Sequence, residues 1–64
     1  MYDLTDREQQ VFDLLLEGRK VKDIAEKLNI TDHTVKYFIK RIYIKLNVKS
    51  KPELIVRYLK NGNA

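Results

Sequence analysis

Apolar residues recur along this chain three and four residues apart, the spacing of helices, rather than in the alternation of a half-buried strand. Val11, Phe12, Leu15 and Leu16 form the first such set. Thr5 followed three residues later by Glu8 is a capping box, so the pattern predicts a helix over about 6–17, closed by Gly18. After the Gly18-Arg19-Lys20 connection, Ile24, Ala25 and Leu28 predict a second helix over roughly 21–28, broken by Asn29 and Ile30. Thr31 is a good N-cap for a longer third helix, about 32–46, in which Val35, Phe38 or Ile39, Ile42 and Leu46 follow in step. Asn47-Val48-Lys49 ends it. Ser50 with Glu53 makes a second capping box, Pro52 sits in the first turn where its missing N–H costs little, and a fourth helix runs over about 51–60 to Asn61-Gly62. Four helices on short connections predict an all-α, compact four-helix bundle occupying residues 1–64 as one domain.

The fourth helix has too much apolar surface for one seam. Leu54, Ile55, Val56, Tyr58 and Leu59 spread over more than half its circumference. Ile55 and Leu59 are assigned to the core beneath Val48. Leu54 and Tyr58, with Val56, are left for a partner helix, which predicts a homodimer through this element.

A chain of 64 residues supports one small core, and nothing covalent supplements it, since there is no cysteine and His33 is the only histidine. No apolar run is longer than that of Leu14-Leu15-Leu16, which falls far short of a membrane span, and the N-terminus lacks the pattern of a secretion signal. The expectation is a cytoplasmic protein with no membrane partner, no metal and no cofactor. The net charge of +4 is unevenly spread. Residues 1–31 hold five basic and seven acidic side chains. Residues 32–51 hold Lys36, Lys40, Arg41, Lys45, Lys49 and Lys51 against Asp32 alone. A basic stripe on one element is the footprint of a phosphate-binding surface, although a solvated helix face would show the same charges.

The second and third helices, joined by Asn29-Ile30-Thr31, have the layout of a helix-turn-helix, whose second member enters the DNA major groove. At about 100° per residue, Val35, Ile39, Ile42 and Leu46 share the packed side of the third helix. Asp32, His33, Lys36, Tyr37, Lys40 and Arg41 project away from or beside that side.

Leu4-Thr5-x-Arg7-Glu8, Gly18, Ile24-Ala25-x-x-Leu28, Thr34-Val35-Lys36, Ile42 and Lys45-Leu46 occur together and in register. In this the chain resembles the LuxR-type (GerE-like) helix-turn-helix domain, from residue 4 to about 58. The resemblance implies a four-helix unit that acts as a transcriptional regulator, pairing through its last helix. Its implied partners are double-stranded DNA, a second copy, and RNA polymerase or another LuxR-type factor. By position it points to Lys36, Tyr37 and Lys40 as base contacts, with His33 and Arg41 beside them on the same face. Lysine donates to guanine O6 and N7, and a tyrosine ring suits a thymine methyl while its hydroxyl can reach a phosphate. Solvated surface for the lysines and partial burial for Tyr37 are the plainer alternatives. Lys20, Lys22, Thr34, Lys45, Lys49, Ser50 and Lys51 are the candidate phosphate contacts. Thr34 also suits a capping role beside Thr31.

Several positions depart from the family pattern. Phe38 stands where His is common and is assigned to packing. Lys20 replaces a capping Ser or Thr, and Arg41 and Ile44 differ from common choices, so the family's base preference does not transfer. A competing function is a protein-interaction module that pairs with a larger LuxR-type factor and blocks it. That role needs only the last helix, whereas this chain keeps a basic third helix. A sigma-factor-like fragment shares the helix-turn-helix but not the Leu-Thr-x-Arg-Glu opening. An enzyme is not expected, because no nucleophile–base pair, metal cluster or phosphate loop is present, and Asp6, Arg7 and Glu8 are explained by helix capping. Met1 and the fit to one domain suit a small stand-alone protein. Family members commonly carry the domain behind a receiver or ligand-binding domain, so both organisations stay open.

Overall fold

The computed structural model describes residues 3–62, with side chains to Tyr58. Its elements are α1 (Asp6–Leu16), α2 (Val21–Leu28), α3 (Asp32–Leu46) and α4 (Lys51–Gly62). The expected all-α fold is thus the observed one.

Most of the boundaries have a local cause. At the start of α1, Thr5 Oγ1 accepts from Glu8 N at 3.2 Å while Glu8 Oε1 accepts from Thr5 N at 2.9 Å, closing the capping box. At its end, Gly18 takes φ +85°, which lets Gly18 N reach Leu15 O and Arg19 N reach Leu14 O. A side chain there would be strained by the backbone itself. Two asparagines do the same work for α2 and α3. Asn29 and Asn47 adopt φ 58° and 57°, and the next residue's amide turns back, Ile30 N to Ala25 O and Val48 N to Tyr43 O. Thr31 caps α3, with its Oγ1 accepting from Thr34 N at 3.1 Å. Lys20 precedes α2 without a side-chain cap. α4 continues through Asn61 and Gly62, beyond the expected stop; neither residue forbids helical backbone, though both favour it less than alanine does.

Val11, Phe12, Leu14, Leu15, Ile24, Ala25, Val35, Ile42, Leu46, Val48 and Leu54 form one core. Burying a side chain of this size contributes roughly 1.5–3 kcal/mol. α3 lies against both α1 and α2, and α4 packs on α1. The long third helix is therefore seated on two supports, with its far side left to solvent.

The phase of α4 corrects one expectation. Leu54, assigned to a partner's surface, has no accessible area and belongs to the core. Tyr58, also assigned outward, is half-buried, and its ring meets that of Phe12 edge-on at 5.6 Å and 82°. The reason is that α4 docks on α1 through the Leu54–Tyr58 stripe, two positions one turn apart. Ile55, assigned to the core, is only half-buried, and Val56 is 62 % exposed. The side chain of Leu59 lies outside the described residues.

Candidate nucleic-acid interface

The side of α3 opposite Val35, Ile42 and Leu46 carries the candidate base contacts. His33, Lys36, Tyr37, Lys40 and Arg41 are all exposed there, Tyr37 by 53 %. Tyr37 therefore does not bury against the bundle. Ile44, two turns beyond Tyr37 on the same side, is 69 % exposed. Beside this stripe runs a groove of about 830 Å³ between α3, the α1–α2 turn and the α3–α4 turn. Apolar Ile39, Tyr43, Ile44 and Val48 line it together with Arg19, Lys36, Lys40, Lys49 and Lys51. Lys20 and Lys22, at the start of α2, are exposed.

Not every expected contact is equally disposed toward a ligand. Thr34 is half-buried, and its hydroxyl lies 2.9 Å from that of Thr31. Ser50 Oγ accepts from Glu53 N at 3.3 Å at the start of α4. Glu53 does not complete the expected capping box on Ser50; its Oε1 accepts from Lys49 N at 2.9 Å instead. Lys51 Nζ donates to Arg19 O at 2.9 Å, tying the start of α4 to the α1–α2 turn.

The largest departure lies at the other edge of α3. Arg41 Nε donates to Glu8 Oε2 at 3.0 Å, and Lys45 Nζ donates to Glu8 Oε1 at 2.6 Å and to Asp3 O at 3.2 Å. Two cations of the basic stripe are thereby taken up by one carboxylate that is 1 % exposed. Hydrogen bonds from Lys45, from the Thr5 amide and from Arg41 outweigh the cost of burial, and they hold the Glu8 carboxyl down to about 2. The same pairing raises the Arg41 guanidinium. Sequence reasoning found Glu8 as a cap but missed it as the anchor of α3. The one signal was the buried register of Glu8, which lies one turn before Phe12 and three residues before Val11. Arg57 was missed too. It donates to Leu46 O at 3.2 Å and Asn47 O at 3.3 Å, so α4 caps the end of α3.

Among the described residues no group of three or more His, Cys, Asp and Glu is placed to hold a metal ion. No helix among them is long and apolar enough to cross a membrane. What the surface offers is ammonium and guanidinium groups along one exposed helix and its flanks, with an aromatic ring between them.

Residues 2–58 match the family described as "Bacterial regulatory proteins, luxR family" (GerE). The chain is 42 % identical over 59 residues to the transcriptional regulatory protein DesR of Bacillus subtilis, an alignment covering 92 % of this chain and 30 % of DesR. It is 39 % identical over 59 residues to the spore germination protein GerE of the same organism, covering 92 % of this chain and 80 % of GerE. Over 57 residues it is 46 % identical to the oxygen regulatory protein NreC of Staphylococcus epidermidis, covering 89 % of this chain and 26 % of NreC. It spans most of GerE but less than a third of DesR or NreC.

Proposed function

Because the chain belongs to the LuxR family of bacterial regulatory proteins, we propose that it regulates transcription by binding double-stranded DNA sequence-specifically, with α3 in the major groove and a second copy joined through α4. Its role is binding rather than catalysis, and its place of action is the cytoplasm. The observation that carries this reading is the exposed row of Lys36, Tyr37 and Lys40 on the side of α3 that the core leaves free. Lys36 and Lys40 donate to base edges, and Tyr37 offers its ring to a thymine methyl. Lys20, Lys22, Lys49 and Lys51, with the hydroxyls of Thr34 and Ser50 nearby, meet phosphates and set the docking without reading sequence. DesR is itself named a transcriptional regulatory protein.

The dimer uses the apolar surface that α4 retains, Val56 with the exposed part of Ile55. Two recognition helices related by a two-fold axis call for an inverted-repeat operator with half-sites roughly one helical turn apart. One short helix per copy makes a small interface, so pairing is completed on DNA, where the first copy raises the effective concentration of the second.

Footprinting against genomic fragments tests binding and yields the site. On that site Lys40→Ala is expected to cost about 1–3 kcal/mol and to relax preference at one base pair. A loss spread equally over all sequences would move Lys40 to the phosphate contacts.

A further inference from the structure

An exposed tyrosine on a recognition helix ordinarily samples several rotamers, and fixing it on a base then costs affinity. Tyr37 has a support that restricts it. The guanidinium carbon of Arg41, one turn along α3, lies 5.8 Å from the centroid of the Tyr37 ring, inside the roughly 6 Å within which a cation is drawn to a ring face. Phe38 meets the same ring at 5.6 Å and 62°. Arg41 is itself nearly half exposed and would wander alone, but its Nε is held at 3.0 Å by Glu8. Glu8 cannot wander. It is enclosed, and its other oxygen is fixed by Lys45 Nζ and the Thr5 amide. A chain of contacts thus runs from the N-terminus of α1, through a buried carboxylate and a guanidinium, to the ring on the recognition face.

Building on the reading of α3 as the recognition helix, we infer that Glu8 and Arg41 are positioning residues for Tyr37, and that the ring rather than the guanidinium meets the base pair. The carboxylate locks the guanidinium, and the guanidinium holds the ring in the orientation the DNA requires. This reassigns Arg41, one of the candidate base contacts, and it gives Glu8 a part in sequence preference from the far side of the helix.

The experiment compares Tyr37→Ala, Arg41→Gln, the double variant and Glu8→Gln on the footprinted operator and on each of its single base-pair variants at fixed salt. Tyr37→Ala is expected to lower discrimination about tenfold at one base pair per half-site, the scale of a single good base-edge interaction. Arg41→Gln should lower discrimination several-fold at that same base pair, and should add nothing in the Tyr37→Ala background. Glu8→Gln keeps an acceptor for the Thr5 amide and should reproduce the effect of Arg41→Gln. Arg41→Gln leaves the Lys45–Glu8 pair in place, so it remains informative if Glu8→Gln loosens the fold. In the free protein, the Tyr37 ring protons should shift by NMR in both Arg41→Gln and Glu8→Gln while the helical circular dichroism of Arg41→Gln stays unchanged. Effects of Arg41 and Tyr37 that fall on different base pairs, or that add in full, would overturn the inference, as would Tyr37 resonances unmoved by Arg41→Gln. Those results would leave DNA recognition standing. An unsubstituted chain with no preferred site would overturn DNA recognition, and the inference with it.

Discussion

Glu8→Ala is expected to be among the most damaging polar substitutions in this domain, and the magnitude follows from what the carboxylate touches. Losing the acceptor for the Thr5 amide forfeits a helix cap, about 1 kcal/mol. Losing the hydrogen bond from Lys45 removes a charge-assisted interaction at roughly 1.5–3 kcal/mol. The Arg41 bond lies at the surface, where water replaces the carboxylate, and is left out of the sum. The net cost is about 2–4 kcal/mol. A 64-residue chain holds roughly 3–10 kcal/mol in all at ~0.05–0.15 kcal/mol per residue. With ~4–8 °C lost per kcal/mol, Tm should fall roughly 10–25 °C, as read by circular dichroism at neutral pH. The acid limb checks the same interaction by its sign. The folded-state carboxyl is lowered from 4.5 to about 2. Its stabilisation is therefore fully present above about pH 4.5 and is lost as the pH falls toward 2. The stability gap between the unsubstituted chain and Glu8→Gln, which retains a capping oxygen, should close over that interval. A Tm drop under about 4 °C for Glu8→Ala, or a gap that stays constant from neutral pH to pH 2, would refute the role given to this residue.

Two further outcomes concern the flanks. Lys49→Ala should weaken binding equally on every duplex and lower the log–log salt slope by about one, checked by titration at several salt concentrations; an unchanged slope places Lys49 away from the phosphates. Val56→Glu should leave the helical signal intact and abolish the two-to-one complex in gel shift and analytical ultracentrifugation, whereas Leu54→Glu should unfold the chain. A folded Leu54→Glu variant would contradict the packing of α4 on α1.

Most of the fold could be read in advance because its boundaries are local. A capping box at Thr5 and Glu8, an N-cap at Thr31 and left-handed asparagines at 29 and 47 act within a few residues of one another. The hydrophobic period of the first three helices has a clear phase. The phase of α4 could not be read the same way. Five apolar residues among Leu54 to Leu59 admit more than one inward stripe, and the choice between them is made by Phe12, forty-odd residues upstream, whose ring receives Tyr58. Periodicity measures the width of an apolar arc. Which edge turns inward is a tertiary matter, decided by the helix it meets.

The site was open to the same kind of error in a different form. Charge counting singles out α3 but treats every cation on it as available, and it cannot subtract cations that the fold itself consumes. Arg41 and Lys45 lie 33 and 37 positions from Glu8 in the sequence, so no local rule joins them. Glu8 already had an explanation as a cap, and a residue with one sufficient explanation invites no second. The register of Glu8 nevertheless contained the clue. It shares the buried side of α1 with Val11 and Phe12, and a carboxylate enclosed there needs cationic partners to remain ionised. The partners come from a helix packed on α1, and of those the basic α3 brings Arg41 and Lys45 within reach. Along α3 the cations therefore divide: Arg41 and Lys45 pair with Glu8 of α1, whereas Lys36 and Lys40 are exposed and line the groove, where the proposed recognition of DNA would use them.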